Sequence, residues 1–231
     1  MHIAVSERFL SIQGEGPSAG EPAYFLRLAG CNLACVWCDT PYSWDWKTYD
    51  RASQVETMDV LELAEKLGKD IPAAVSLLVV TGGEPLLQAS SLLVVLSRLR
   101  DARPDVRVEM ETNGTIRPRE GLVPLIHLFV VSPKLLNAGE LNVVSPRQVA
   151  QFRGLRAILK VVVLSSDDVK RVGELARESG FEPARVWISP EGTTPETIRR
   201  HARQVVEAAV SNGFHMSSRL QVVIWGDERG R

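Results

Sequence analysis

Cysteine is almost missing from this chain: there are three in 231 residues, and all of them fall between Cys31 and Cys38. So few thiols, spaced so tightly, exclude a disulfide framework and fit a reducing compartment, and a cytoplasmic protein is expected. Net charge is missing too, since 27 Lys and Arg against 28 Asp and Glu leave −1 at pH 7. That balance gives no polybasic face for nucleic acid and no acidic tail of the disordered kind. No apolar run approaches membrane-spanning length, and MHIAVSERFLSIQGEG has no basic region followed by an apolar stretch and a small-residue cleavage site. Neither a membrane nor a secretory route is expected. Internal repeats, linkers and low-complexity tracts are also lacking, so 1–231 reads as a single domain whose closing GDERGR is expected to be mobile.

What the chain has is alternation. His2–Ile12 and PAYFLRLAG read as strands on either side of a glycine-rich loop, QGEGPSAG. After the cysteine stretch and an aromatic-rich segment, SWDWKTY, leucine and alanine recur at helical spacing from Met58 to Lys69. SLLVVTGGEP, VRVEMETNG, LFVVSPK, AILKVVVL and RVWISPEG read as strands, with helices expected over 92–100, 167–179 and 195–212, and LQVVIWG closes the chain. Continuous apolar strands separated by amphipathic helices indicate an α/β fold with a parallel sheet buried on both faces. Polar or glycine residues gather at the strand C-terminal ends, in SIQGEG, CVWCDT, VVTGGE, METNGT, VVSPK and WISPEG. An open doubly wound sheet and a complete or partial barrel both fit; a barrel would bring these ends together in one mouth.

The cysteines stand as C-x3-C-x2-C. Thiolates at this spacing suit zinc or an iron–sulfur cluster, because both prefer soft sulfur ligands. Structural zinc needs a fourth ligand, and the histidines at 2, 127, 201 and 215 are scattered. A cubane held by three cysteines leaves one iron free for a small molecule. Three cysteines packed as small hydrophobes is the bland alternative.

The C-x3-C-x2-C loop with an aromatic before its last cysteine, followed about forty residues later by TGGEP at a strand end, resembles the cluster loop and glycine-rich turn of radical S-adenosylmethionine enzymes. SIQGEGPSAGEPAYFLRLAGCNLACVWCDT, VVTGGEPLLQ, METNGT and VVSPK together are similar to the 7-carboxy-7-deazaguanine synthase family, densely from Phe9 to Lys134 and again at RLQVVIWG. The resemblance implies a partial TIM-like barrel of parallel strands with outer helices, a 4Fe-4S cluster, S-adenosylmethionine and Mg2+. It implies conversion of 6-carboxy-5,6,7,8-tetrahydropterin to 7-carboxy-7-deazaguanine with loss of ammonia, in queuosine and deazapurine biosynthesis. An electron donor such as flavodoxin or ferredoxin and a homodimer are implied in the same way.

Carried over by position, Cys31, Cys35 and Cys38 would hold the cluster and Thr40 the Mg2+. Ile12, Gln13, Gly14, Glu15, Arg27 and Thr81 would meet the substrate. Trp37, Cys38, Asp39, Gly82, Gly83, Glu84, Asn113, Ser132 and Lys134 would meet S-adenosylmethionine. Read physically, Gly14 and Gly16 would let backbone approach a flat ligand, Gln13 offers donor and acceptor, and Glu15 a carboxylate. Arg27, in an apolar strand, would need an anionic partner, which a carboxylated substrate supplies. Where many family members show glutamine before proline, this chain has Ser189-Pro190-Glu191, so no adenine contact is assigned there, nor any role to Arg231. A glycyl-radical activase would share the cysteine motif yet have no use for QGEG, Arg27 or Thr40. A zinc-stabilised binding module or a cluster-based electron carrier would be the reading from another functional class.

Overall fold

Runs of Val, Ile and Leu fit a pleated, buried surface, and here they build nine strands: β1 (His2–Ile12), β2 (Pro22–Leu28), β3 (Glu56–Asp59), β4 (Leu77–Gly82), β5 (Arg107–Thr112), β6 (Leu128–Val131), β7 (Ala157–Val163), β8 (Val186–Pro190) and β9 (His215–Met216). In the computed structural model, which describes residues 1–231, they join one open sheet in the order β3-β1-β2-β4-β5-β6-β7-β8-β9. Neighbours from β2 through β9 run parallel. β1 departs from the all-parallel expectation, because the short QGEGPSAG connection makes it a hairpin partner of β2, antiparallel to both β2 and β3.

Seven helices complete the chain: α1 (Arg51–Gln54), α2 (Val60–Asp70), α3 (Ala89–Ala102), α4 (Pro146–Val149), α5 (Ser166–Ser179), α6 (Pro195–Ser211) and α7 (Leu220–Trp225). The helix expected from Met58 starts at Val60. Asp59 accepts from the Leu61 N–H at 2.8 Å as its cap, and Glu56–Asp59 pairs with β1 instead. LQVVIWG folds as α7.

The large core lies between the sheet and the helices, where Leu63 and Leu67 of α2 and Leu92, Leu96 and Leu99 of α3 meet Leu26, Leu28, Leu78 and Val80. Each fully buried Leu contributes about 1.5–3 kcal/mol, so this layer carries the fold. The inner face holds a small plug of Ala23, Phe25, Leu77 and Val79, with Phe9 stacked on Phe25 at 5.0 Å between ring centroids. Above that plug the same face turns polar, at Arg27, Thr81, Glu111 and Lys160, which all line one cavity at the strands' C-terminal ends. GDERGR, expected to be mobile, is held through Arg229, which donates to Glu7 Oε1 and to Gln54 Oε1 at 2.7 Å and lies 3.9 Å from the Tyr42 ring centroid.

Candidate active site

The cysteine loop leaves β2 through Gly30, whose φ of 92° suits glycine. Asn142 anchors it: Oδ1 accepts from the Ala34 N–H at 2.8 Å and Nδ2 donates to the Ala34 carbonyl at 3.0 Å. The turn after β4 lies flat against this loop because it carries two glycines. A Cβ on Gly83 would overlap the Gly30 carbonyl, and Gly82 (φ 138°) sits against the Leu28 backbone. Cys31, Cys35 and Cys38 therefore line the same cavity as Gly82 and Gly83. Cys31 Sγ accepts from the Leu33 N–H at 3.4 Å and Cys38 Sγ from Trp44 Nε1 at 3.3 Å.

These residues fit an iron–sulfur cluster. Burial pushes the Cys31 thiol up to about 11 despite the Leu33 N–H, and burial raises Cys35 against the pull of Lys134. A bound metal would take the proton's place on each thiol. No three His, Cys, Asp or Glu side chains converge tightly enough for one metal ion; a cubane instead gives each thiolate its own iron. Trp37 lines the cavity, and its Nε1 is buried with no partner within the protein.

On the next strands, Lys134 Nζ donates to Ser132 Oγ at 2.9 Å and lies 5.3 Å from the Trp37 ring centroid. Asn113 Nδ2 donates to Asn32 Oδ1 at 3.0 Å, tying the end of β5 to the cysteine loop. Glu84 is the exception among the residues expected here. It is fully buried outside the cavity, and its carboxylate accepts from the N–H groups of Leu86 (2.9 Å) and Asn113 (2.7 Å) and from Thr112 Oγ1 (2.9 Å). It fastens the β4 turn to β5. Burial holds its carboxyl above the ordinary range in spite of these donors.

The opposite wall belongs to QGEG and β2. Arg27, expected to need an anionic partner, already has one within the protein beside any that a carboxylated substrate would supply. A bulge between Val5 and Glu7 sets Glu7 opposite Arg27, and Nε donates to Glu7 Oε2 at 2.7 Å. The Nη atoms have no such bond within the protein, and Arg27 lines the cavity. Gly14 is likewise used by the chain itself: a Cβ there would overlap Gln221 of α7, and its carbonyl accepts from the Leu220 N–H at 3.0 Å. Ile12, Gln13, Glu15, Asp39, Thr40 and Thr81 all line the cavity, so every expected residue except Glu84 does.

Several lining groups escaped the sequence reading. Glu15 Oε1 accepts from Arg219 Nε at 3.1 Å and from Gln221 Nε2 at 2.8 Å, while Oε2 faces Lys160 Nζ at 2.9 Å. Arg219 also pairs with Asp39 and donates to the Gly192 carbonyl at 2.6 Å, drawing three loops together. Burial opposes charge on Glu15, yet Lys160 and Arg219 outweigh it and hold the carboxyl far below the usual range. One readable signal existed, a lysine inside the buried run AILKVVVL, since a buried ammonium requires anionic partners. Arg219 and Gln221 lie in RLQVVIWG, which shares in the family resemblance, but nothing local gives them a role, because their partner Glu15 lies about two hundred residues away.

The cavity has a volume of about 220 Å3 and opens to solvent at the strands' C-terminal ends. Comparison with known proteins agrees with this arrangement. A profile described as the Radical SAM superfamily matches residues 26–205. A 7-carboxy-7-deazaguanine synthase from Pyrobaculum aerophilum is 36% identical over 99% of this chain and 97% of its own length. One from Hyperthermus butylicus is 35% identical over 96% of this chain and 92% of its own. The crystal structure of QueE from Escherichia coli superposes with a TM-score of 0.73 over 95% of each chain at 24% identity, a likeness of fold. The chain belongs to the radical SAM superfamily and, within it, to the 7-carboxy-7-deazaguanine synthase family.

Proposed function

We propose that this chain is a 7-carboxy-7-deazaguanine synthase that converts 6-carboxy-5,6,7,8-tetrahydropterin to 7-carboxy-7-deazaguanine with loss of ammonia, in deazapurine and queuosine biosynthesis. One observation carries the reading: the cysteine loop, the glycine turn, QGEG and Arg27 line a single cavity. Cys31, Cys35 and Cys38 would hold a 4Fe-4S cluster, with Trp37, Asp39, Gly82, Gly83, Asn113, Ser132 and Lys134 around S-adenosylmethionine. When bound, these groups supply a 5'-deoxyadenosyl radical that takes a hydrogen atom from the substrate.

The chain's own residues bind and orient. Arg27, steadied at Nε by Glu7, presents its Nη edge to a carboxylate, a geometry suited to bidentate pairing. Gln13 is 3% exposed, and its Oε1 accepts from the Glu15 N–H at 3.1 Å, which leaves its amide hydrogens for a heterocycle. Phe9 and Phe25 close the cavity floor with apolar surface and keep water from the reacting face.

Thr40 is our candidate Mg2+ ligand. It precedes the turn at Pro41–Ser43, yet its hydroxyl makes no capping bond; it is in long hydrogen-bond contact with Cys38 Sγ at 3.8 Å. A hydroxyl on the wall of the cavity that Arg27 also lines suits a hard cation completed by water and substrate oxygen. We further read the protein as a single-domain, cytoplasmic homodimer that draws electrons from flavodoxin or ferredoxin. The continuous sheet supports the first, the three free thiols the second, and the prevalence of two-fold assemblies the third. No helix is long and apolar enough to cross a membrane.

Anaerobic incubation of cluster-loaded protein with S-adenosylmethionine, a reductant and the tetrahydropterin is expected to yield 7-carboxy-7-deazaguanine. Cleavage of S-adenosylmethionine without that product would remove the reading. Thr40→Ala is expected to lower turnover and abolish its dependence on Mg2+ while iron content stays unchanged; an unaltered magnesium response would take Thr40 out of the site.

A further inference from the structure

Lys160 is 7% exposed in the middle of β7, where an unpaired ammonium would be strongly disfavoured. Its Nζ reaches Glu15 Oε2 at 2.9 Å and Glu111 Oε1 at 3.1 Å, joining the loop after β1 to β5 across the cavity. Glu111 Oε2 also accepts from Thr81 Oγ1 at 2.8 Å. Lys160, Glu15, Glu111 and Thr81 all line that cavity. Each carboxylate oxygen can accept about two hydrogen bonds; Glu15 Oε1 already takes two, from Arg219 and Gln221, so Glu15 Oε2 and both Glu111 oxygens are the ones that keep acceptor capacity.

Two carboxylates opening on one enclosed space repel, and without a cation between them one would take up a proton and become a donor. Lys160 and Arg219 together balance their charge. We propose that Lys160 is a specificity-determining positioning residue: it holds Glu15 and Glu111 as a paired acceptor surface that selects a heterocycle with adjoining N–H donors, an aminopyrimidinone edge. This rests on the substrate reading above and adds which group sets the selection. A ring bearing carbonyl oxygen where the 2-amino group stands would bring an acceptor against acceptors, and a site built to pair a donor rejects such an analogue strongly.

The test is titration calorimetry on anaerobic, cluster-loaded protein with S-adenosylmethionine bound, using 6-carboxypterin and its 2-oxo counterpart, 6-carboxylumazine. Wild type is expected to favour the 2-amino ligand roughly tenfold or more. In Lys160→Met that preference should fall toward unity, with S-adenosylmethionine binding unchanged, and Lys160→Arg should restore most of it. Glu111→Gln, which keeps shape and leaves Lys160 on Glu15, should lose the preference in the same way and serves if the methionine variant does not fold. A preference that survives in either variant overturns this inference alone, as does an equal loss for both ligands that arginine fails to restore. Wild type that binds S-adenosylmethionine but neither pteridine overturns the substrate reading, and this inference with it.

Discussion

At the residue scale the site is organised by pairs in which one partner binds and the other steadies it. Arg27 and Glu7 are the clearest. Burial works against charge on Glu7, but Arg229, Arg27 and the Tyr42 hydroxyl, which donates at 2.8 Å, keep its carboxyl below the ordinary range. Glu7→Gln would weaken the fixed orientation of the guanidinium without removing it. A hydrogen bond between charged groups contributes about 1.5–3 kcal/mol, so the substrate KM is expected to rise roughly tenfold with kcat little changed. Steady-state kinetics check this; a fall in kcat at constant KM would show that Glu7 acts elsewhere. Arg27→Lys should not rescue binding, because an ammonium cannot pair with both Glu7 and a bidentate carboxylate.

At the element scale, most strands and the three long helices after β4 were legible, because an apolar run or a helical period reports a buried face directly. What was not legible follows from partners distant in sequence. Glu56–Asp59 is a strand only because β1 offers it an edge, and α7 is fixed by its docking on Gly14. The sequence marks Gly14 and Arg27 through a flat ligand and an anion, while in the fold Gln221 packs on the first and Glu7 pairs with the second. Local motifs name the residues that face a ligand, while the residues that hold them come from other elements, Glu7 from the neighbouring strand and Gln221 from α7. The same contrast predicts opposite outcomes for one substitution. Gly83→Ala would force a methyl into the Gly30 carbonyl and part the glycine turn from the cysteine loop. It is expected to cost about 1–3 kcal/mol and to lower the iron bound per chain after reconstitution. Gly68→Ala, inside α2 with open space around it, should stabilise the fold by up to about 1 kcal/mol. Thermal melts and iron analysis of both variants decide between them.

At the scale of the whole molecule, the interior of the sheet carries buried carboxyls of two kinds, and they tie stability to pH with opposite signs. Glu15 faces Lys160, Arg219 and Gln221, which together hold its folded pKa far below the unfolded value. Its contribution is therefore complete above the unfolded pKa, near pH 4, and is lost as pH falls below it. Glu109 is 2% exposed and meets the Ser18 hydroxyl, with Glu111, Arg107 and Glu21 nearby. Burial, aided by Glu111 and Glu21, lifts its pKa above the ordinary range against Ser18 and Arg107. A raised carboxyl stabilises the fold below its unfolded pKa and loses that contribution as pH rises through the folded value. Measured as melting temperature against pH, Glu15→Gln should be less stable than wild type at neutral pH and converge on it in acid. Glu109→Gln should gain on wild type as pH rises from acid toward neutral, because the amide never has to ionise in the interior. Parallel curves for either variant would mean that its carboxyl titrates as it does in the unfolded chain, and that the ion pairs inside the sheet do not set its charge.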